Sequence, residues 1–177
     1  MVRSAHTLSP GETPASVEVA DYIDVAARAA ALGCRMPTDI AMMPDNFATA
    51  ADRSELLVQG ETTTLRTVLR NEGMVVSDFL PEGERHAFIH NKSHDWQALL
   101  FVAASLWSND PNVVPVALGV VSNYLTDYFR GSPSHNKIKL GVVVEKTPGR
   151  TYKHIVYEGD VAGLAALEEA VRRVCDE

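Results

Sequence analysis

The chain has 177 residues, of which 46% are hydrophobic and 22% charged, with a formal net charge of -7. That length suits one domain with a core that needs no disulfide or structural metal, and the composition excludes global disorder. The negative balance opposes non-specific binding to nucleic acid and to anionic membranes, so no membrane contact is expected and nucleic acid is a poor partner.

Residues 1–13 are polar, contain Pro10 and Gly11, and read as an N-terminal tail. They lack the apolar core of a signal peptide, and no apolar run reaches the ~18–20 residues of a membrane span. A cytoplasmic protein is the expectation. Residues 14–177 read as a single α+β domain. Cys34 and Cys175 have no C-x-x-C spacing, so two free thiols are expected, the alternative being one disulfide between the first and last helices.

The first predicted helix starts near Thr13 or Pro14, carries Val19, Tyr22, Ile23, Ala26 and Ala30 as its stripe, and stops at Gly33. Strands follow at 39–43 and 55–59. Thr62 then caps a helix that runs to Asn71, with Leu65, Val68 and Leu69 inward and Gly73 closing it. Further strands are predicted at 74–80 and 86–92.

Ser93 reads as the cap of the next helix, with Asp95 favourable to its dipole. Trp96, Leu99, Leu100 and Ala103, then Leu106 or Trp107, supply its i, i+3, i+4 stripe. A second long helix starts after Asn112, because Pro115 is tolerated only in a first turn. It runs to about Arg130 with Gly131 as stop, and Val114, Leu118, Val121, Leu125 and Tyr128 share one face. Its first half, 113–121, is apolar all round and requires cover on every side.

Residues 137–146 alternate, with Ile138, Leu140, Val142 and Val144 on one face. Thr147, Pro148, Gly149 and Arg150 form a turn, and 151–158 returns as a hairpin. A four-residue turn pairs Lys146 with Thr151, Leu140 with Tyr157, Val142 with Ile155 and Lys139 with Glu158. Asp160 caps a last helix that turns Leu164, Leu167, Val171 and Val174 inward. The predicted architecture is therefore α+β: one mixed sheet of about five or six strands with a C-terminal β-hairpin, packed against a central apolar helix pair plus N- and C-terminal helices.

Chemistry-bearing residues concentrate in the segment HAFIHNKSHDW. His86 and His90 share a strand face and, with a carboxylate, are candidate metal ligands. His90, Asn91, Lys92, His94 and Asp95 sit at a strand-to-helix junction, where backbone N–H groups gather and a histidine can act as a base. An edge strand followed by a capped helix accounts for the same residues. No Gly-rich loop accompanies them, and no cofactor is expected.

Lys137, Lys139, Arg150 and Lys153, with Lys146, outnumber Glu145 in the hairpin and are candidate anion-binding residues; a solvated hairpin face with charged edges is the alternative. In the loop 131–137, Ser134 beside His135 is no catalytic arrangement, and no G-x-S-x-G elbow occurs.

The leading expectation is a non-enzymatic interaction or regulatory module, acting through a homo-oligomer or a protein partner that contacts the helices of 95–130. The alternative is an enzyme acting on a phosphorylated or anionic small molecule at the 90–95 junction, with His135 or Lys137 nearby. Nucleic-acid contact through the hairpin lysines ranks third.

Overall fold

The computed structural model describes residues 15–90, 95–130 and 137–177. The polar tail 1–13, the Ser93 cap and the Gly131 stop lie outside the described residues.

The described chain opens with a strand where a helix was expected. Strand β1, Ser16–Asp21, pairs antiparallel with β8, Thr151–Gly159. Its sequence SVEVAD alternates, which places Val17 opposite Tyr157 and Val19 opposite Ile155. Helix α1, Val25–Leu32, begins only after Asp24, whose carboxylate accepts a hydrogen bond from the Ala27 N–H at 3.0 Å. It ends at Gly33, as expected.

Strands β2 (Ile40–Met42), β3 (Leu57–Gln59), β4 (Val76–Asp78) and β5 (Ala87–Ile89) fall inside the predicted windows but are shorter. Helix α2 spans Gly60–Asn71. Thr62 does not cap it. Thr62 lies within the helix, fully buried, and its hydroxyl accepts from the Leu99 N–H at 3.2 Å, tying α2 to the sheet.

The largest correction concerns residues 96–102. They form strand β6, Trp96–Val102, and not a helix. Asp95 therefore precedes a strand and has no helix dipole to favour. The central helix pair reduces to a short α3, Ala104–Asn109, and a long α4, Val113–Phe129. The reason is physical. WQALLFV is covered on both faces, and an apolar run of that kind has no period that separates buried strand from buried helix.

Strand β7, Ile138–Thr147, and β8 make the expected hairpin, and the pairings Leu140–Tyr157, Val142–Ile155 and Lys139–Glu158 hold. At the turn the register differs. A bulge lets Thr147, not Lys146, pair with Thr151, leaving a three-residue turn in which Gly149 takes φ 67°. Asp160 caps a short 3₁₀ turn by accepting from the Gly163 N–H, and α5, Leu164–Asp176, follows. Its four predicted core residues are buried.

The main sheet is mixed, with strand order β1-β8-β7-β6-β2-β4; β3 and β5 pair separately. Pairs β6–β7 and β2–β4 are parallel, and the remaining pairs of the main sheet antiparallel. One face, with Ala98, Leu100, Leu140 and Val142, packs on α2, α4 and α5 through Leu65, Leu69, Val121, Leu125, Leu167 and Val171. The other, with Leu99, Phe101 and Val143, packs on α1 and on Met43, Phe47 and Phe79. Cys34 belongs to the second core and Cys175 to the first, and both thiols are free. No helix among the described residues is long and apolar enough to cross a membrane.

Two surface assignments change. Val116 is 53% exposed and Tyr128 58%, so the apolar half of α4 is not covered on every side and Tyr128 leaves the buried face. Glu145 does not balance the hairpin lysines at the surface, because it is only 7% exposed. One carboxylate oxygen accepts from the Ala104 N–H at 3.0 Å. The other accepts from the Gly149 N–H at 3.1 Å and from the Tyr152 hydroxyl at 3.2 Å. Burial first, then the Glu145 charge, raises the Tyr152 pKa far above its ordinary value, so the phenol keeps its proton and donates. Replacing Glu145 with Ala strands three donors and is expected to lower stability by about 3 kcal/mol, read as a shift in urea midpoint at constant m value.

Candidate functional site

His90 leaves the end of β5 and enters a cavity of about 310 Å³ between the first turn of α2 and the last turns of α4. Gly60, Glu61, Thr64, Trp96, Tyr124 and Tyr128 complete its lining. The Tyr124 and Tyr128 rings are 5.9 Å apart, centroid to centroid, and the His90 ring is 6.5 Å from Phe88. Trp96 is 2% exposed, and its indole N–H has no hydrogen-bond partner among the described residues. The same holds for the buried Glu61 Oε2. Burial, then Tyr128, then the Glu61 carboxylate raise the Tyr124 pKa.

His86 goes elsewhere. Its side chain is 5% exposed, with Nε2 3.8 Å from Asp78 Oδ2. Arg66 and Arg35 each approach the same carboxylate to 3.9 Å. Burial is the main influence on His86 and lowers its pKa; Asp78 opposes that shift and Arg66 adds to it. His86 and His90 thus have different neighbours. Among the described residues no group of three or more His, Cys, Asp and Glu side chains is placed to hold a metal ion. Asn91, Lys92, His94 and His135 lie outside the described residues. Asp95 acts electrostatically on Lys137 across the start of the parallel pair β6–β7.

Of the basic candidates, Lys137 and Lys139 meet on one carboxylate, and Arg150 and Lys153 do not join them. Lys137 Nζ is 2.8 Å from Glu158 Oε2, and Lys139 Nζ is 3.5 Å from Glu158 Oε1. Lys153 pairs with Asp21 of β1, Lys146 with Glu177, and Arg150 sits exposed in the turn. Each of these lysines is thus paired with a carboxylate. Lys139 also edges a cleft of about 210 Å³ on the open sheet face, with Asp45, Gln97, Gly141 and His154. There Gln59 Nε2 donates to Asp45 Oδ2. The His154 ring meets Tyr22 edge-on at 5.3 Å, and burial, then Lys139, lower its pKa.

Sequence reasoning missed Glu61, Trp96, Tyr124 and Tyr128 as companions of His90. The i, i+4 spacing of Tyr124 and Tyr128 was visible, but Trp96 had been placed on a helix and Glu61 was unremarkable. No family model matches this chain, and neither does any curated protein or solved structure.

The two buried histidines set a pH dependence. Each has a folded pKa below its unfolded value of about 6.5, so the unfolded chain binds more protons as acid is added. Stability is full above that value and falls as pH drops through it. Thermal unfolding followed from pH 8 to pH 5, before the carboxylates titrate, is expected to show a falling midpoint, and His154→Gln is expected to flatten the slope.

Proposed function

We propose that this chain is a non-enzymatic interaction module that works as a homodimer, two copies meeting through the outward side of α4. The observation that supports this reading is Gly119. A Cβ built there meets nothing within 4 Å among the described residues. A glycine inside a helix costs roughly 1 kcal/mol relative to alanine. Its own fold gives no steric reason for it, whereas close approach of a second helix does.

The surroundings agree. From Val113 to Thr126 the helix carries no charged residue. In a chain of net charge -7, this side lets two copies approach without opposing like charges. Val116 supplies exposed apolar surface one turn before Gly119. Next to it, Trp107, Pro111, Val114, Pro115 and Leu118 form the apolar side of a groove of about 330 Å³, whose α5 side carries Glu168, Arg172 and Asp176. A two-fold axis near Gly119 lays the two helices antiparallel and makes the contact self-complementary. The support rests on α4 alone, since the strand at 96–102 needs no partner to cover it.

Sedimentation equilibrium on the purified chain is expected to give a dimer. Val116→Glu is expected to give a monomer whose own unfolding free energy stays within about 0.5 kcal/mol, as for other surface changes. A wild-type chain that sediments as a monomer throughout the accessible concentration range overturns the reading.

A further inference from the structure

We infer that the aromatic-lined cavity between α2 and α4 is a binding site for a small quaternary ammonium compound, such as one with a choline-like head group. This does not rest on the pairing of two copies.

Three features of the cavity converge on a cation. The first is Glu61. Its Oε2 is buried without a hydrogen-bond partner among the described residues, and a buried, unpaired carboxylate oxygen is costly unless a donor or a positive charge meets it. An acidic residue in the first turn of α2 is favourable to the helix dipole. That accounts for a carboxylate at this position but not for the burial of one of its oxygens. Tyr124 is close enough for the Glu61 charge to raise its pKa.

The second feature is the wall. Trp96, Tyr124, Tyr128 and His90 line the same space, which is open to solvent on the side of Tyr128 and His90. Rings with negative faces beside a carboxylate attract cations and repel anions. A phosphorylated or anionic ligand, the kind expected from the neighbouring lysines, is therefore the wrong charge for this cavity. Aromatic walls also discriminate among cations. A methylated ammonium is weakly hydrated, so it gives up little solvation on entering and presents carbon to the rings.

The third feature is size. At about 310 Å³ the cavity stands at the small end of ligand pockets, roughly 300–1,000 Å³. That suits a compact head group. Trp96 lines this space, so its indole reports on what occupies it.

The site is tested by titrating the full chain with choline chloride while recording the indole N–H signals. Each of the two tryptophans supplies one. Trp107 Nε1 donates to the Glu145 carbonyl at 3.0 Å and serves as the internal control. The Trp96 signal is expected to move and saturate while that of Trp107 stays. The uncharged analogue of the same shape, 3,3-dimethylbutan-1-ol, is expected to bind at least about tenfold more weakly. Glu61→Gln and Tyr124→Leu, both folded by the unchanged Trp107 signal, are each expected to weaken choline binding by about tenfold. Equal binding of choline and its neutral analogue, or a Trp96 signal that does not respond to choline, overturns the inference.

Discussion

Parallel pairing of β6 with β7 obliges the chain between them to cross a face of the sheet before it can return. That crossover is α3 and α4. Because α4 runs back towards the start of β7, its last turns lie over the beginnings of both strands. Trp96, the first residue of β6, is thereby brought beside Tyr124 and Tyr128 near the end of α4. The aromatic cavity is thus a consequence of strand direction. An antiparallel β6–β7 hairpin would have needed no crossover and would have made no such cavity.

The crossover needs fixed ends, and Glu145 fixes one of them. Its carboxylate holds the first N–H of α3, the hairpin turn and Tyr152 together, while its carbonyl takes the Trp107 indole. A buried charge is tolerated here because three donors replace water. Thr62 does a smaller version of the same task, tying α2 to the middle of β6 through the Leu99 N–H. Thr62 thus anchors α2 to β6, and Glu145 anchors α3 as well as the turn and β8 to β7. Together they set where the helical layer sits over the sheet.

Legibility in the sequence followed how many faces of an element are buried. Helix α5 and strand β8 each bury mainly one side, so their periods of 3.6 and two residues were plain; β7, covered on both faces from Leu140 to Glu145, was legible through the turn and its pairing with β8. The central strand β6 buries both sides and lost its period, and its helical stripe was an accident of composition. Strand β1 failed for the opposite reason. It is an edge strand exposed on nearly all its length, so no buried side set its period. Of the candidate site, only His90 was visible. Its companions come from α2, β6 and α4, and their meeting depends on the crossover that a misread β6 had removed.

The same chain treats two carboxylates in opposite ways, and the difference separates structure from binding. Glu145 is buried and accepts from three donors, leaving nothing for a ligand to add. Glu61 buries an oxygen with no donor among the described residues, and Trp96, which lines the same cavity, has an indole N–H in the same condition. Folded proteins pair most buried polar atoms, and two of the side chains in conflict with that rule line this one cavity. Replacing Glu61 with an apolar residue would remove that conflict at no cost to the core. Its retention at the wall of an aromatic cavity is intelligible if the missing partner is a cation that arrives from outside.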